Sequence, residues 1–242
     1  MSRNRCAGAL GAALVFVFAA ASSHAAFIDS FEGPTLDPFW NFSAQLSGSY
    51  AFSPTQFHSG SKSLQFTSIN NGGQKDIEVA HQFATPTFGD YSVWFYDSGA
   101  GQASGNYANF YSNVNQPSNF WGAGLVVRSD SLGADNQYFG STSTGLEVPS
   151  GVTRSLGWHQ FRLQTRADAL VLSVDGVDFY TAASVGPSTD VTLIMHGASI
   201  DPPAVTYFDD FSFTALPEPA ALAVAPLFAL ALRRRRRGDR AS

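Results

Sequence analysis

The sequence predicts an all-β fold, a two-sheet antiparallel sandwich. Three observations predict it. Runs of four to eight residues alternate apolar and polar along most of the body, the period of a half-buried strand. Gly, Asn, Asp and Pro separate these runs at short intervals, as turns between strands require. Between the two ends of the chain, no long segment carries the spacing of an amphipathic helix.

The strands are read in order. Phe27 to Glu32 opens the body and Gly33-Pro34 closes that run; Trp40 to Ser43 and Ser49 to Ser53 are short strands. His58-Ser59-Gly60-Ser61-Lys62 is a turn into Ser63 to Thr67. In Asp76 to Phe83, the residues Ile77, Val79, His81 and Phe83 share one face, opposite Asp76, Glu78, Ala80 and Gln82, because side chains alternate across a strand. Tyr91 to Asp97 sets Tyr91, Val93 and Phe95 against Trp94 and Tyr96. Asn109 to Val114, Trp121 to Arg128 and Asn136 to Phe139 follow. Gly157 to Gln164 places His159, Phe161 and Leu163 inward. Leu170 to Val174 meets Val177 to Tyr180 through Asp175-Gly176, a strong two-residue hairpin signal. Val191 to His196 and Tyr207 to Phe213 complete about a dozen strands. There is no internal repeat and no linker between domains.

Both ends read as addresses. Arg3 and Arg5 precede the apolar run Ala9 to Ala21, and Ser23-His24-Ala25 supplies small residues for signal peptidase. Residues 1–25 are therefore a predicted secretory signal peptide. Cys6 is the only cysteine, so the body, residues 26–215, carries no disulfide. Residues 216–242 hold Leu216-Pro217-Glu218-Pro219, the uncharged stretch Ala220 to Leu232 and five arginines, Arg233, Arg234, Arg235, Arg236 and Arg237. A helix over Ala220 to Leu232 would span roughly 20 Å, a short membrane anchor, with arginines that stop translocation on the cytoplasmic side.

This arrangement resembles the PEP-CTERM sorting signal of Gram-negative bacteria. The resemblance covers about the last tenth of the chain, with Pro217, Glu218 and Pro219 as the motif. It implies an exosortase as partner, passing contact with the inner membrane, and delivery to the envelope, outer surface or extracellular matrix.

Charge separates the ends from the body. Lys and Arg number 14 in the chain, but 6 once Arg3, Arg5, Arg233 to Arg237 and Arg240 are set aside. Asp and Glu fall from 19 to 17 without Glu218 and Asp239, so the body carries a net charge of −11. A body of that charge repels nucleic acid, which is excluded as a partner.

Two sets of motifs refine the fold. Gly157-Trp158-His159 with Leu170 to Gly176 looks like laminin-G-like and concanavalin-like jelly rolls. Phe31-Glu32, His58 to Leu64 and Phe208-Asp209-Asp210-Phe211 are similar to jelly-roll carbohydrate-binding modules. The resemblance implies that the first and last strands lie side by side. It also implies a structural calcium (Ca2+) site from Glu32, the Lys62 carbonyl and Asp210, with Asp29 and Asp209 in reserve. Converging carboxylates would favour a cation on electrostatic grounds alone.

Two further chemistries are open. Trp94, Tyr96, Trp121 and Tyr138 are candidates for a ligand-binding aromatic platform for sugars, against their ordinary use as packing between sheets. Asp76 and Glu78, about 7 Å apart along one strand face, are the carboxylate pair a glycoside hydrolase would need. The Glu-x-Asp-x-x-Glu pattern of concanavalin-like hydrolases is absent, however. The histidines lack zinc-motif spacing, and His81 and His159 read as core residues bonded to backbone. There is no phosphate loop and no nucleophile elbow. The expectation is an exported, non-catalytic structural or adhesive module. A lectin-like binder of extracellular polysaccharide is the alternative, and a glycoside hydrolase comes third.

Overall fold

The computed structural model describes residues 26–44, 48–68, 75–97, 106–113, 120–126, 137–141, 147–183, 185–197 and 205–217. Fifteen strands run through them: β1 (Ala26–Asp29), β2 (Asn41–Ala44), β3 (Gly48–Ser53), β4 (Ser63–Ser68), β5 (Lys75–Thr87), β6 (Gly89–Asp97), β7 (Asn106–Asn113) and β8 (Phe120–Val126). Then come β9 (Gln137–Ser141), β10 (Glu147–Thr153), β11 (Gly157–Thr165), β12 (Ala169–Val174), β13 (Val177–Ala183), β14 (Ser188–Gly197) and β15 (Val205–Ala215). Every pairing is antiparallel. The expected all-β, two-sheet antiparallel architecture is therefore present.

The first sheet has eight strands in the order β13-β12-β11-β6-β15-β4-β3, with β1 also on β15. The second has seven, in the order β10-β9-β8-β7-β14-β5-β2. The first and last strands do lie side by side, Asp29 opposite Phe211. The core fills the space between the sheets with Tyr91, Val93, Phe95, Phe161, Leu163 and Phe208 from one side and Ile77, Val79, Val191, Leu193 and Met195 from the other. The alternation on β6 matches the sequence reading: Tyr91, Val93 and Phe95 are buried, while Trp94 and Tyr96 stand half-buried on the outer face.

Two backbone features place the chemistry. Asp175 and Gly176 both have positive φ, 50° and 77°, as a two-residue hairpin turn requires. β15 is shared along one edge, by β4 over Val205 to Phe208 and by β1 over Phe211 to Thr214. Its ladder with β6 shifts register between Asp209 and Ser212, and Asp210 has φ 45°. This is a bulge, which bends a strand and redirects its side chains. It sits at the gap between β4 and β1.

Candidate functional site

The outer face of the second sheet is the first place where chemistry collects. Ile77 and Val79 are buried in the core, so Glu78 between them is on the outward row, half-buried. Register carries that row across five strands: Glu78 opposite Ile194, Ile194 opposite Asn109, Asn109 opposite Gly124, and Gly124 opposite Phe139. The row spans about 19 Å at the usual strand spacing. Ile194 and Phe139 are only 6% exposed, and Thr192, two residues along β14, is 3% exposed. These described positions of the outward face are therefore buried. Asn109 lies at the row's middle with Gly124 next to it, and Gly122 is at the neighbouring position of β8 opposite Tyr111, so β8 puts no side chain on the face at those two positions. One row the other way, register sets Asp76 opposite His196 and His196 opposite Tyr107.

The second place is the bulge of β15. Asp209, fully buried, accepts hydrogen bonds from the backbone N–H of His58 (2.7 Å), Ser59 (3.2 Å) and Asp210 (2.8 Å). Burial nevertheless raises its pKa, to about 6. Asp210 accepts from Ser59 Oγ at 2.7 Å and lies 2.6 Å from His58 Nδ1. Glu32 holds the other end of the same turn. Its carboxylate accepts from Ser61 N (2.7 Å), Ser61 Oγ (2.6 Å) and Lys62 N (2.8 Å), which lower its pKa. Lys62 Nζ returns a bond to the Glu32 carbonyl at 3.2 Å. Gly60 has φ +64°, and a Cβ there would collide with the Glu32 carboxylate.

These are the residues expected to bind calcium, and the structure brings most of them together. Asp29 stands apart: its carboxylate accepts from Phe31 N and Trp40 Nε1. Among the described residues, no group of three or more His, Cys, Asp or Glu could hold a metal ion. The carboxylate oxygens of Asp209, Asp210 and Glu32 accept from protein donors and clamp the turn.

The expected sugar platform is divided by the fold. Trp94 and Tyr96 share the outer face of the first sheet, while Trp121 lies in the second sheet, on β8 opposite Ser112. Tyr138 is fully buried, with its hydroxyl on Asp97 at 3.2 Å. It is a core residue, and burial raises its pKa. Trp94 is itself covered: the His58 ring stacks on it at 3.7 Å between centroids. The structure supplies two rings that the sequence reading passed over. Trp158 meets Tyr96 edge-on at 5.4 Å, and Tyr207 meets Tyr96 at 6.1 Å. Their signal was present, since His159 and Phe208 inward imply Trp158 and Tyr207 outward.

The histidines behave as read. His81 Nδ1 is 2.8 Å from the Phe39 carbonyl, and buried His159 lies 2.8 Å from the Ser155 carbonyl and 2.7 Å from Asp175. The sorting motif reaches the described residues only at Pro217, which is exposed. Glu218, Pro219, Arg233 to Arg237 and the signal peptide lie outside them. No helix among the described residues is long and apolar enough to cross a membrane.

No family model matches the sequence, and no curated protein does. Solved structures do share the architecture. An endo-β-1,4-glucuronan lyase from the fungus Trichoderma reesei is 13% identical with a TM-score of 0.57, over 78% of this chain and 95% of that one. A family 16 glycoside hydrolase, an endo-glucanase from Bacteroides ovatus, is 10% identical with a TM-score of 0.58, over 78% and 99%. The cellulose-induced protein Cip1 is 16% identical with a TM-score of 0.59, over 77% and 96%. The shared property is the jelly-roll sandwich. The comparison also corrects the functional expectation of a non-catalytic structural or adhesive module: the structures that share the architecture include a lyase, an endo-glucanase and a transglycosylase.

Proposed function

We propose that this protein is an exported carbohydrate-active enzyme that cleaves glycosidic bonds in a neutral polysaccharide. The observation that carries the reading is the outward row of the second sheet, from Glu78 through Ile194, Asn109 and Gly124 to Phe139. A row about 19 Å long, without a side chain at its glycine position, suits an extended sugar chain. Glu78 at its end is the proton-transfer group, acting on the glycosidic oxygen as a positioned acid or base. Asp76, two positions along the same strand, is its carboxylate partner at a spacing of about 7 Å. The body's net charge of −11 selects against polyuronates and for uncharged glycans. Glu78→Gln removes the proton transfer and keeps the side-chain shape. It is expected to lower turnover at least a hundredfold with an unchanged melting temperature. Turnover equal to wild type would reject the assignment.

The reading includes the route. The predicted signal peptide and the PEP-CTERM-like tail would take the body to the cell envelope or matrix, where such substrates are found. Intact-mass analysis of the exported protein is expected to give a chain that begins at Ala26 and lacks Arg233 to Arg237. An intact arginine tail would reject sorting.

A further inference from the structure

We infer a second glycan-binding surface on the opposite side of the sandwich, a row of aromatic rings on the outer face of the first sheet: Tyr207, Tyr96 and Trp158. It rests on the reading of the chain as a polysaccharide-acting protein, but on different residues. The three rings come from three adjacent strands, β15, β6 and β11. Trp158 is directly opposite Tyr96 in register, and the ring contacts run on without a break from Trp158 to Tyr96 to Tyr207. Two strand spacings make the row about 10 Å long, enough for about two pyranose rings. His58 lies beside it, edge-on to Trp158 at 5.9 Å, with its own ring stacked on Trp94. That stack fills the indole face, so Trp94 supports the row rather than serving as the contact.

The chemistry of the face selects a sugar. The outward rows of β6 and β11 read Asp90, Ser92, Trp94, Tyr96 and Trp158, Gln160, Arg162, Gln164. They contain aromatic, amide, hydroxyl and charged groups, and no aliphatic side chain. A face that buries itself against another protein carries an apolar centre depleted in charge, which these rows lack. Rings interleaved with amides and hydroxyls suit a pyranose, whose C–H faces stack and whose hydroxyls hydrogen-bond. The arginine of these rows is matched internally: Arg162 binds Asp90 through two parallel contacts, Nε to Oδ1 at 2.8 Å and Nη2 to Oδ2 at 2.5 Å. With that cation engaged and the body acidic, the face favours an uncharged polysaccharide over an anionic one. The surface would hold the enzyme on its polymer while the other sheet acts.

Affinity electrophoresis of the purified chain tests this, in native gels cast with hydroxyethylcellulose, galactomannan or soluble starch. Wild type is expected to be retarded in at least one gel. Trp158→Ala and Tyr96→Ala should each weaken retardation about tenfold, while Trp158→Phe retains most of it. Tyr207→Ala, at the far end of the row, gives the same readout if a Trp158 variant does not fold. Turnover lost in Glu78→Gln bears only on the other sheet, and retardation lost in the row variants bears only on this one, so the two readings fail separately. Wild type unretarded in every gel, or folded row variants retarded as wild type, would overturn the proposal. So would light scattering in which Trp158→Ala splits a dimer, since the face would then belong to a second copy.

Discussion

Asp97 and Arg154 form a buried ion pair, with side chains 1% and 5% exposed. Arg154 Nε reaches Asp97 Oδ2 at 2.8 Å and Nη2 reaches Oδ1 at 2.7 Å. The Tyr138 hydroxyl adds a bond to the same carboxylate. The pair ties the end of β6 to the segment between β10 and β11. Removing one partner leaves the other charge buried alone, so Arg154→Ala should destabilise the fold by about 3–5 kcal/mol, measured by chemical denaturation. A loss below about 1 kcal/mol would show the site to be open to water. None of this was legible in the sequence. Asp97 and Arg154 are single charged residues far apart in the chain, and only the β6–β11 ladder brings their segments together. Tyr138 was misplaced for a related reason: a five-residue strand shows too little alternation to tell its two faces apart.

At the scale of elements, the bulge of β15 and the turn it holds are one unit. Asp209 binds the start of the turn and Glu32 its end, and their pKa values move in opposite directions. The folded chain keeps the Asp209 proton up to about pH 6, where the unfolded chain has already released it. Asp209 therefore favours folding at acid pH, and that contribution is lost as pH rises to about 6. Glu32 works the other way. Its contribution is present above the ordinary carboxylate value and disappears as pH falls through its lowered one. Carbonyl-carbon NMR titration should find the Asp209 midpoint near 6 and the Glu32 midpoint below the usual glutamate range. Both midpoints at ordinary values would mean that the turn is not clamped. The sequence did bring Glu32, Asp210 and the His58–Ser63 turn into one neighbourhood, through short motifs. It could not reveal what the oxygens do there, because the bulge that aims Asp209 exists only where β4 hands over to β1.

The architecture of the whole molecule was readable because half-buried strands alternate and their turns carry Gly, Asp and Pro. β10 escaped, since Pro149 and Gly151 interrupt its pattern and edge strands tolerate both. The candidate site is harder to read for a different reason: the outward row of the second sheet is assembled across five strands, by a register that no linear pattern displays. In the sequence Glu78 is one half of the Asp76–Glu78 pair; its place at the end of a row that crosses five strands is visible only in the fold.

The most direct test of the central claim is product analysis. The purified chain is incubated with a panel of neutral polysaccharides, with glucuronan as an anionic control, and the products are sized by chromatography and mass spectrometry. The account predicts that at least one neutral polysaccharide is shortened, that glucuronan is not, and that Glu78→Gln yields no product. A folded protein that leaves every polysaccharide at its starting length would contradict it.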